Sequence, residues 1–154
     1  MIELRRATKK DSGEFAAIVH NWMSETKDIP QLHTKENLEK MIAQAIPERE
    51  VWLIGTPTKG YISLNIQTFQ VTGLYISNPG NGLGKKLLDK IKTNRKYLHL
   101  WSHTFNQRAH KFYIREGFKM IGRKEKGMME YPKYTSNGSI HENFNKHSFL
   151  TTLN

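Results

Sequence analysis

A strand, a glycine-rich turn and a lysine-studded helix follow one another in LYISNPGNGLGKKLLDKIK, from Leu74 to Lys92. Three glycines, Gly80, Gly82 and Gly84, occupy the junction. A helix N-terminus carries unpaired N–H groups and partial positive charge, and glycine lets an anion approach the backbone closely. A tight turn that is glycine-rich for conformational reasons explains the same residues. The stretch therefore predicts a strand–turn–helix unit and leaves a phosphate site as one of two interpretations.

Two common nucleotide-binding patterns do not match this turn. The pattern GxxxxGK[ST] fails because no Ser or Thr follows Lys85, and no glycine stands where G-x-G-x-x-G needs its last one. The glycines alone are weak evidence for an anion site. A second constellation is needed to decide between the two interpretations.

The bulk composition sets the class of protein. A chain of 154 residues predicts one domain with its own hydrophobic core. The chain contains no cysteine, which excludes disulfides, thiolate metal sites and a cysteine nucleophile. The first residues lack a signal-peptide pattern and no stretch reaches membrane-spanning length, so a cytoplasmic protein without membrane contact is expected. We expect the domain at 1–135 and a loosely ordered polar tail at 136–154.

The formal charge of +10 is unevenly distributed. Residues 1–60 hold nine basic and nine acidic residues, whereas residues 61–154 hold fifteen and five. Most of the excess lies between Lys85 and Lys126, on both sides of the glycine turn. The positive electrostatic potential of such a region attracts polyanions. Nucleic acid and a phosphate-bearing cofactor are both candidate ligands.

Hydrophobic periodicity predicts strands alternating with helices, with hairpins in the middle of the chain, and therefore a mixed α/β sheet. Asp11 is expected to cap the first helix with Glu14 three residues on, and Thr34 to begin a second helix that Pro47 ends. A third helix follows the glycine turn, and a fourth at 106–116 is stopped by Gly117. Strands are predicted at 2–7, 51–55, 61–66, 71–77, 97–102, 118–122 and 128–134.

The second constellation is FNQRAHKFYIREGF, Phe105 to Phe118, which has the spacing N-x-x-A-x-x-F-Y-x-x-x-G-F. Together with the glycine turn about twenty residues earlier, it resembles the GCN5-related N-acetyltransferases. The resemblance covers roughly residues 4–134. It implies a mixed, mostly antiparallel central sheet flanked by helices, in which a splayed strand pair forms an acetyl-CoA cleft.

The resemblance also implies an acetyl-CoA site on named residues. Gly82, Gly84 and Lys85 match the loop whose N–H groups bind the CoA pyrophosphate. Gly73 suits the bulge that splays the strand before the loop, and Asn106 matches the residue that hydrogen-bonds the pantetheine amides. The full set expected to bind the co-substrate is Leu74, Ile76, Asn81, Gly82, Leu83, Gly84, Lys85, Asn106 and Tyr113.

Tyr113 matches the family tyrosine that protonates the departing CoA thiolate, and we assign it that role ahead of the alternative, a core aromatic beside Ala109 and Phe112. The family transfers the acetyl group directly to an amine in a ternary complex, so the missing cysteine is no objection. The N–H near Leu74 is implied to polarise the thioester carbonyl. A fixed donor of this kind contributes a few kcal/mol to catalysis.

Three features depart from the family pattern. Pro79 stands where the loop normally carries Gln or Arg, and proline has no N–H to offer a phosphate. The loop is also about two residues short. Gln70 stands where many members carry a glutamate base, and a glutamine cannot accept the proton. The remaining candidates for the base are His103, Glu50, Glu25 or a water chain, unless the amine arrives already neutral, and His103 is the one we assign to the site.

The expected partners are acetyl-CoA and an amine acceptor, either a small molecule or a protein amine. His99, His103 and His110 are close in sequence, but without carboxylates at ligand spacing they indicate no metal. Two alternatives remain: a nucleic-acid-binding module that uses the basic half, and a CoA-binding protein without catalysis. No nucleic-acid-reading motif is present, so that partner is not expected. A homodimer stays open.

Overall fold

Seven strands form one sheet in the order β1-β2-β3-β4-β5-β7-β6. The computed structural model describes residues 3–25, 33–103, 107–123 and 126–131, and the tail predicted at 136–154 lies outside these ranges. Every neighbouring pair is antiparallel except β4 and β5, which are parallel. The strands are β1 (Leu4–Arg6), β2 (Arg49–Ile54), β3 (Gly60–Asn65), β4 (Gln70–Ile76), β5 (Leu98–His103), β6 (Lys119–Arg123) and β7 (Lys126–Tyr131). The predicted mixed, mostly antiparallel sheet is confirmed.

Helices cover both faces of the sheet. Side chains of the first two helices join one buried cluster, and side chains of the last two join the other. No helix within the described ranges is long and apolar enough to cross a membrane. The helices are α1 (Ser12–Glu25), α2 (Lys35–Ala45), α3 (Leu83–Lys92) and α4 (Gln107–Arg115).

The helix ends follow from local chemistry. Thr34 begins α2 as predicted, since its hydroxyl oxygen accepts a hydrogen bond from the Asn37 N–H at 3.1 Å. Pro47 lies in the 3₁₀ turn that follows the last residue of α2. In α3, Leu87, Leu88 and Ile91 are fully buried, as their spacing predicts. Each such side chain stabilises the fold by roughly 1.5–3 kcal/mol.

The prediction that Asp11 caps the first helix is wrong. A 3₁₀ turn at Lys9–Asp11 precedes α1, and Thr8 is its N-cap. The Asp11 carboxylate reaches backwards, where it accepts the Thr8 N–H at 2.8 Å and pairs with Arg5 at 2.7 Å. The carboxylate is therefore the partner of the capping residue, and α1 continues directly from the 3₁₀ turn.

Strand β4 contains a bulge and then separates from β5. Leu64 of β3 pairs with Val71, but the preceding Ser63 pairs with Gly73, so Thr72 is the extra residue. This is the bulge predicted at Gly73. The parallel pairing of β4 with β5 is recorded only at Gln70↔His99 and Val71↔Leu100. Beyond these pairs the strands diverge, and we call the opening the β4–β5 cleft.

Candidate active site

The loop between β4 and α3 presents bare backbone to open space. Gly80 and Gly82 have φ of 108° and 76°, and Gly82 is the N-cap of α3. A Cβ built on either glycine would meet nothing within 4 Å. Their left-handed conformation favours glycine, yet no neighbouring atom requires the small residue. The first N–H groups of α3, which have no acceptor inside the helix, therefore follow directly on an uncrowded loop.

A cavity of about 350 Å³, here called the loop groove, lies beside this turn. The glycine loop and the start of α3 form one wall, and α4 forms the other. Four expected co-substrate residues besides Gly82 line it, namely Ile76, Leu83, Gly84 and Lys85, whereas Leu74 and Asn81 do not. Among the described residues, the lining is Ile76, Pro79, Gly80, Gly82, Leu83, Gly84, Lys85, Arg108, Lys111, Phe112 and Arg115.

Three basic residues of α4 line the loop groove, Arg108, Lys111 and Arg115. Their spacing of three and four places them on one face of the helix, while Ala109 and Phe112 are buried beneath them. None of the described residues that line the groove is acidic. The groove therefore combines backbone N–H groups with positive charge, which suits phosphate groups.

The cations differ in how far they are already paired. Lys85 Nζ lies 3.0 Å from Asp89 and 3.2 Å from Glu116, and the hydrogen bond to Asp89 is the main cause of its raised pKa. Glu116, whose side chain is only 6% exposed, also lies 3.6 Å from Arg115. Within the described ranges, Arg108 and Lys111 pair with no acidic residue. These two are the groove's uncompensated cations.

Tyr113 is fully buried at the back of α4. Its ring makes edge contacts with Phe112 and Phe118 at 5.3 and 5.4 Å between centroids. The hydroxyl has no hydrogen-bond partner among the described residues, and burial raises the pKa of the phenol. An unpartnered buried hydroxyl costs free energy, so a group that supplies a partner would stabilise this site. Tyr113 is not a lining residue of the loop groove.

Two predicted site residues are only partly accounted for. Asn106 lies outside the described residues. His103 is the last residue of β5, the strand that diverges from β4.

The candidates for the general base have different surroundings. Gln70 is 2% exposed and its Nε2 has no partner within the described ranges. Burial alone would raise the pKa of Glu50, but hydrogen bonds from Arg95 and Trp52 lower it below its usual value. Glu50 is thereby held as an ionised partner of Arg95. Glu25 is exposed at the last position of α1.

A second cavity, the Arg49 cavity, lies on the opposite face of the sheet beneath α1 and α2. Arg49 is 7% exposed, and burial lowers the pKa of its guanidinium. Thr72 and Gly73, the bulge residues of β4, belong to the wall. The cavity measures about 20 Å³. Its lining is Phe15, Ile42, Ala45, Ile46, Arg49, Val51, Tyr61, Ser63, Thr72 and Gly73.

Sequence reasoning missed the α4 cations and Arg49. The cations had a readable signal, because positions 108, 111 and 115 repeat at helical spacing beside a motif already identified. Arg49 also had one, because it shares the inward parity of Val51 and Leu53 in the strand REVWLI. What the sequence could not indicate is that these groups meet the loop and the bulge.

A protein-family model described as "Acetyltransferase (GNAT) domain" matches residues 14–129 of this chain. The chain is 26% identical over 128 residues to peptidyl-lysine N-acetyltransferase YjaB of Salmonella typhimurium, a match that covers 81% of this chain and 88% of the relative.

Solved structures share the fold. PaiA N-acetyltransferase from Thermoplasma acidophilum, determined with coenzyme A, has a TM-score of 0.65 and 21% identity, covering 87% of this chain and 99% of its own. YncA from Salmonella typhimurium, determined with acetyl-CoA, has a TM-score of 0.64 and 15% identity, covering 85% and 93%. The family match spans most of the chain and includes the strand, loop and helix that form the groove. This chain is a member of the GNAT acetyltransferase family.

Proposed function

We propose that this protein transfers the acetyl group of acetyl-CoA to a primary amine by direct attack in a ternary complex. The observation that carries the proposal is the β4–β5 cleft, which opens beside the loop groove after only two paired positions. The solved relatives contain coenzyme A or acetyl-CoA, and YjaB is named for acetylating peptidyl-lysine. These names support the reaction class.

The described residues fit the co-substrate. The open space at Gly80 and Gly82 leaves room for a pyrophosphate against the first N–H groups of α3. Arg108 and Lys111 add charge from the opposite wall. Pro79 lines the groove without an N–H to donate, so we assign to the α4 cations the role that the loop side chain would otherwise take. Along the cleft, the backbone of Leu74 and Ile76 would pair with the pantetheine arm, and Asn106 would bind its amides.

When bound, acetyl-CoA supplies an acetyl group that is already activated as a thioester. The amine nitrogen then bonds to the carbonyl carbon while the carbon–sulfur bond breaks. The N–H near Leu74, next to the bulge, would stabilise the negative charge on the carbonyl oxygen. Tyr113 would donate its proton to the sulfur, since a phenol is protonated at neutral pH and can act as a general acid. His103 or a water molecule would take the amine's proton, because Gln70 cannot.

Titration calorimetry with acetyl-CoA, with matched titrations of ATP and a short mixed oligonucleotide, tests the first step. We expect micromolar binding of acetyl-CoA at moderate salt and much weaker binding of the other two ligands. A strongly salt-dependent affinity for the oligonucleotide without acetyl-CoA binding would instead support a nucleic-acid module.

Thiol release from acetyl-CoA tests catalysis separately. The amine panel should contain small aliphatic amines, amino acids and lysine-containing peptides, with product masses read by mass spectrometry. We expect thiol release that depends on the amine and a product heavier by one acetyl group. Tight acetyl-CoA binding with no acetylated product in any class would identify a CoA-binding protein that lacks catalysis.

A further inference from the structure

A second buried polar atom, on the ring of His110, accompanies the unpartnered hydroxyl of Tyr113 in α4. His110 is half-buried, and its Nε2 is enclosed without a hydrogen-bond partner among the described residues. Enclosing a nitrogen in this way costs free energy, so the arrangement calls for an explanation. The acetyl transfer proposed above makes no use of this histidine.

We propose that His110 returns a proton to Tyr113 after Tyr113 has protonated the departing CoA thiolate. The inference rests on the acetyl transfer proposed above and adds a residue to it. His110 acts through Tyr113 and does not touch the substrate.

The geometry of α4 brings the two side chains together. His110 and Tyr113 are three residues apart, so their Cβ atoms are separated by roughly 5–6 Å on one face of the helix. A long helical side chain leans toward the helix N-terminus, over the residues three and four positions earlier. For Tyr113 these residues are His110 and Ala109, and the Ala109 side chain has no polar group. His110 is thus the polar neighbour on the side toward which such a phenol leans.

Tyr113 needs a proton donor of its own because it is fully buried and solvent does not reach it. Burial raises the pKa of the phenol, so a phenolate at this position is costly and must regain its proton at once. Glu116 lies three residues further along the chain, but its carboxylate is 3.2 Å from Lys85 and 3.6 Å from Arg115. A carboxylate paired with two cations accepts hydrogen bonds and has no proton to give.

An imidazole suits this step, since it accepts and releases protons near neutral pH. As the O–H bond of Tyr113 breaks and the S–H bond of CoA forms, the Nε2–H bond of the protonated His110 breaks and the O–H bond of Tyr113 is restored. Solvent then protonates His110 again, because the residue is only half-buried. The step consumes no other reactant, and the proton of the amine leaves separately.

Turnover tests the proton return. With thiol release as the assay, His110→Gln should lower kcat about tenfold or more and change the KM for acetyl-CoA less than about threefold, because only a proton transfer is affected. Adding imidazole should restore part of the kcat of His110→Ala and should have no effect on Tyr113→Phe. The double variant His110→Gln/Tyr113→Phe should be no slower than Tyr113→Phe alone, since both residues act in one step. His20→Gln, which changes a half-buried histidine of α1, is the control.

Exchange of the hydroxyl proton tests the same path without turnover. Tyrosine labelled isotopically at Cζ reports by NMR how fast each buried hydroxyl exchanges its proton with water. We expect the exchange at Tyr113 to be about tenfold slower or more in His110→Gln than in wild type, and imidazole to accelerate it in His110→Ala. The exchange at Tyr61, which is buried in the other layer, should stay the same and is the internal control.

The two measurements separate this inference from the acetyl transfer on which it rests. If wild type releases no thiol with any amine but His110→Gln slows the exchange at Tyr113, the acetyl transfer fails and the proton path stands. If His110→Gln changes neither kcat nor the exchange rate, the proton path is overturned. Additive losses in the double variant with unchanged exchange at Tyr113 would overturn it as well, because His110 would then act independently of Tyr113.

Discussion

Tyr113 combines two properties that rarely occur together, full burial and a hydroxyl without a partner among the described residues. A purely structural tyrosine at this position could be phenylalanine at no cost, since its contacts with Phe112 and Phe118 are made by the ring. The hydroxyl is therefore either an unexplained destabilising group or a functional one. Its effect on turnover, measured apart from its effect on stability, decides between the two.

Tyr113→Phe should lower kcat about 100-fold or more, because a general acid contributes roughly that factor. The affinity for acetyl-CoA should change less than about threefold, and the free energy of unfolding should stay the same or rise, since a buried unpaired hydroxyl is lost. Thiol-release kinetics, calorimetry and urea unfolding measure the three quantities. Tyr75→Phe, a buried tyrosine in the cluster under α1 and α2, is the control. Unchanged kcat in Tyr113→Phe would mean that Tyr113 has only a structural role in the core.

The cations that line the loop groove differ in whether an acidic residue already pairs with them. Arg108→Gln and Lys111→Gln should each weaken acetyl-CoA binding about 5- to 10-fold, because each removes a cation with no described acidic partner. Lys85→Gln should cost less than about threefold, because Lys85 already pairs with Asp89 and Glu116. Calorimetry at moderate salt, with the exposed Lys96→Gln as control, gives the order. A larger loss at Lys85 than at Arg108 and Lys111 would contradict this assignment.

At the scale of elements, the glycine loop can be tested as an anion cradle. Gly82→Asn keeps the left-handed conformation accessible, so the free energy of unfolding should fall by no more than about 1 kcal/mol. The new side chain would enter the open space where a pyrophosphate would lie, and acetyl-CoA affinity should fall at least tenfold. Gly117→Asn changes a second left-handed glycine, outside the loop groove, and is the matched control. Equal affinities in the two variants would mean that the loop is only a turn.

Most elements were predictable because their signals are local. Thr34 begins α2 through its own hydroxyl, and the spacing of Leu87, Leu88 and Ile91 alone determines the buried side of α3. The cap of the first helical segment was mispredicted, although α1 begins at Ser12 as expected, because a 3₁₀ turn precedes the helix and Thr8 rather than Asp11 takes the capping position. The predicted and the observed capping boxes use the same kind of hydrogen bonds, but the observed box begins three residues earlier in the chain.

The sites were less predictable because they join residues that are far apart in sequence. The glycines and the α4 motif could be identified from family resemblance, but the pairing of Lys85 with Glu116 spans 31 positions and depends on how α3 packs beside α4. Arg49 reaches the bulge at Thr72–Gly73 only through the sheet register of three strands. Periodicity indicates which face a side chain occupies and not which distant group it meets there.

At the scale of the whole molecule, the sheet separates two chemical environments. The basic excess of the second half of the chain collects around the loop groove, on the side of α3 and α4. The neutral first half provides α1, α2 and the largely apolar Arg49 cavity. Both environments reach β4 near its bulge. Within the described residues, the bulge is thus a place where a phosphate-bearing ligand and a second, smaller substrate could meet.

Each of the two buried layers also contains a tyrosine whose pKa is raised by burial, Tyr61 under α1 and Tyr113 under α4. Below a pH of about 10, the ordinary tyrosine value, both phenols are neutral in the folded and unfolded states, and their contribution to stability is fully present. As the pH rises further, the unfolded chain releases these protons and the folded chain retains them. Stability is therefore lost toward alkaline pH.

Between pH 10 and pH 11 the wild-type protein should lose about 2 kcal/mol more free energy of unfolding than the double variant Tyr61→Phe/Tyr113→Phe. Each single variant should remove about half of that difference, because the raised pKa keeps each phenol protonated in the folded chain over this range, while the unfolded chain releases the two protons separately. Urea unfolding at pH 9, 10 and 11 gives the three free energies for each protein, and the lysines common to all four proteins cancel in the comparison. Parallel pH profiles for the wild type and the double variant would show that the buried phenols ionise as readily as in the unfolded chain.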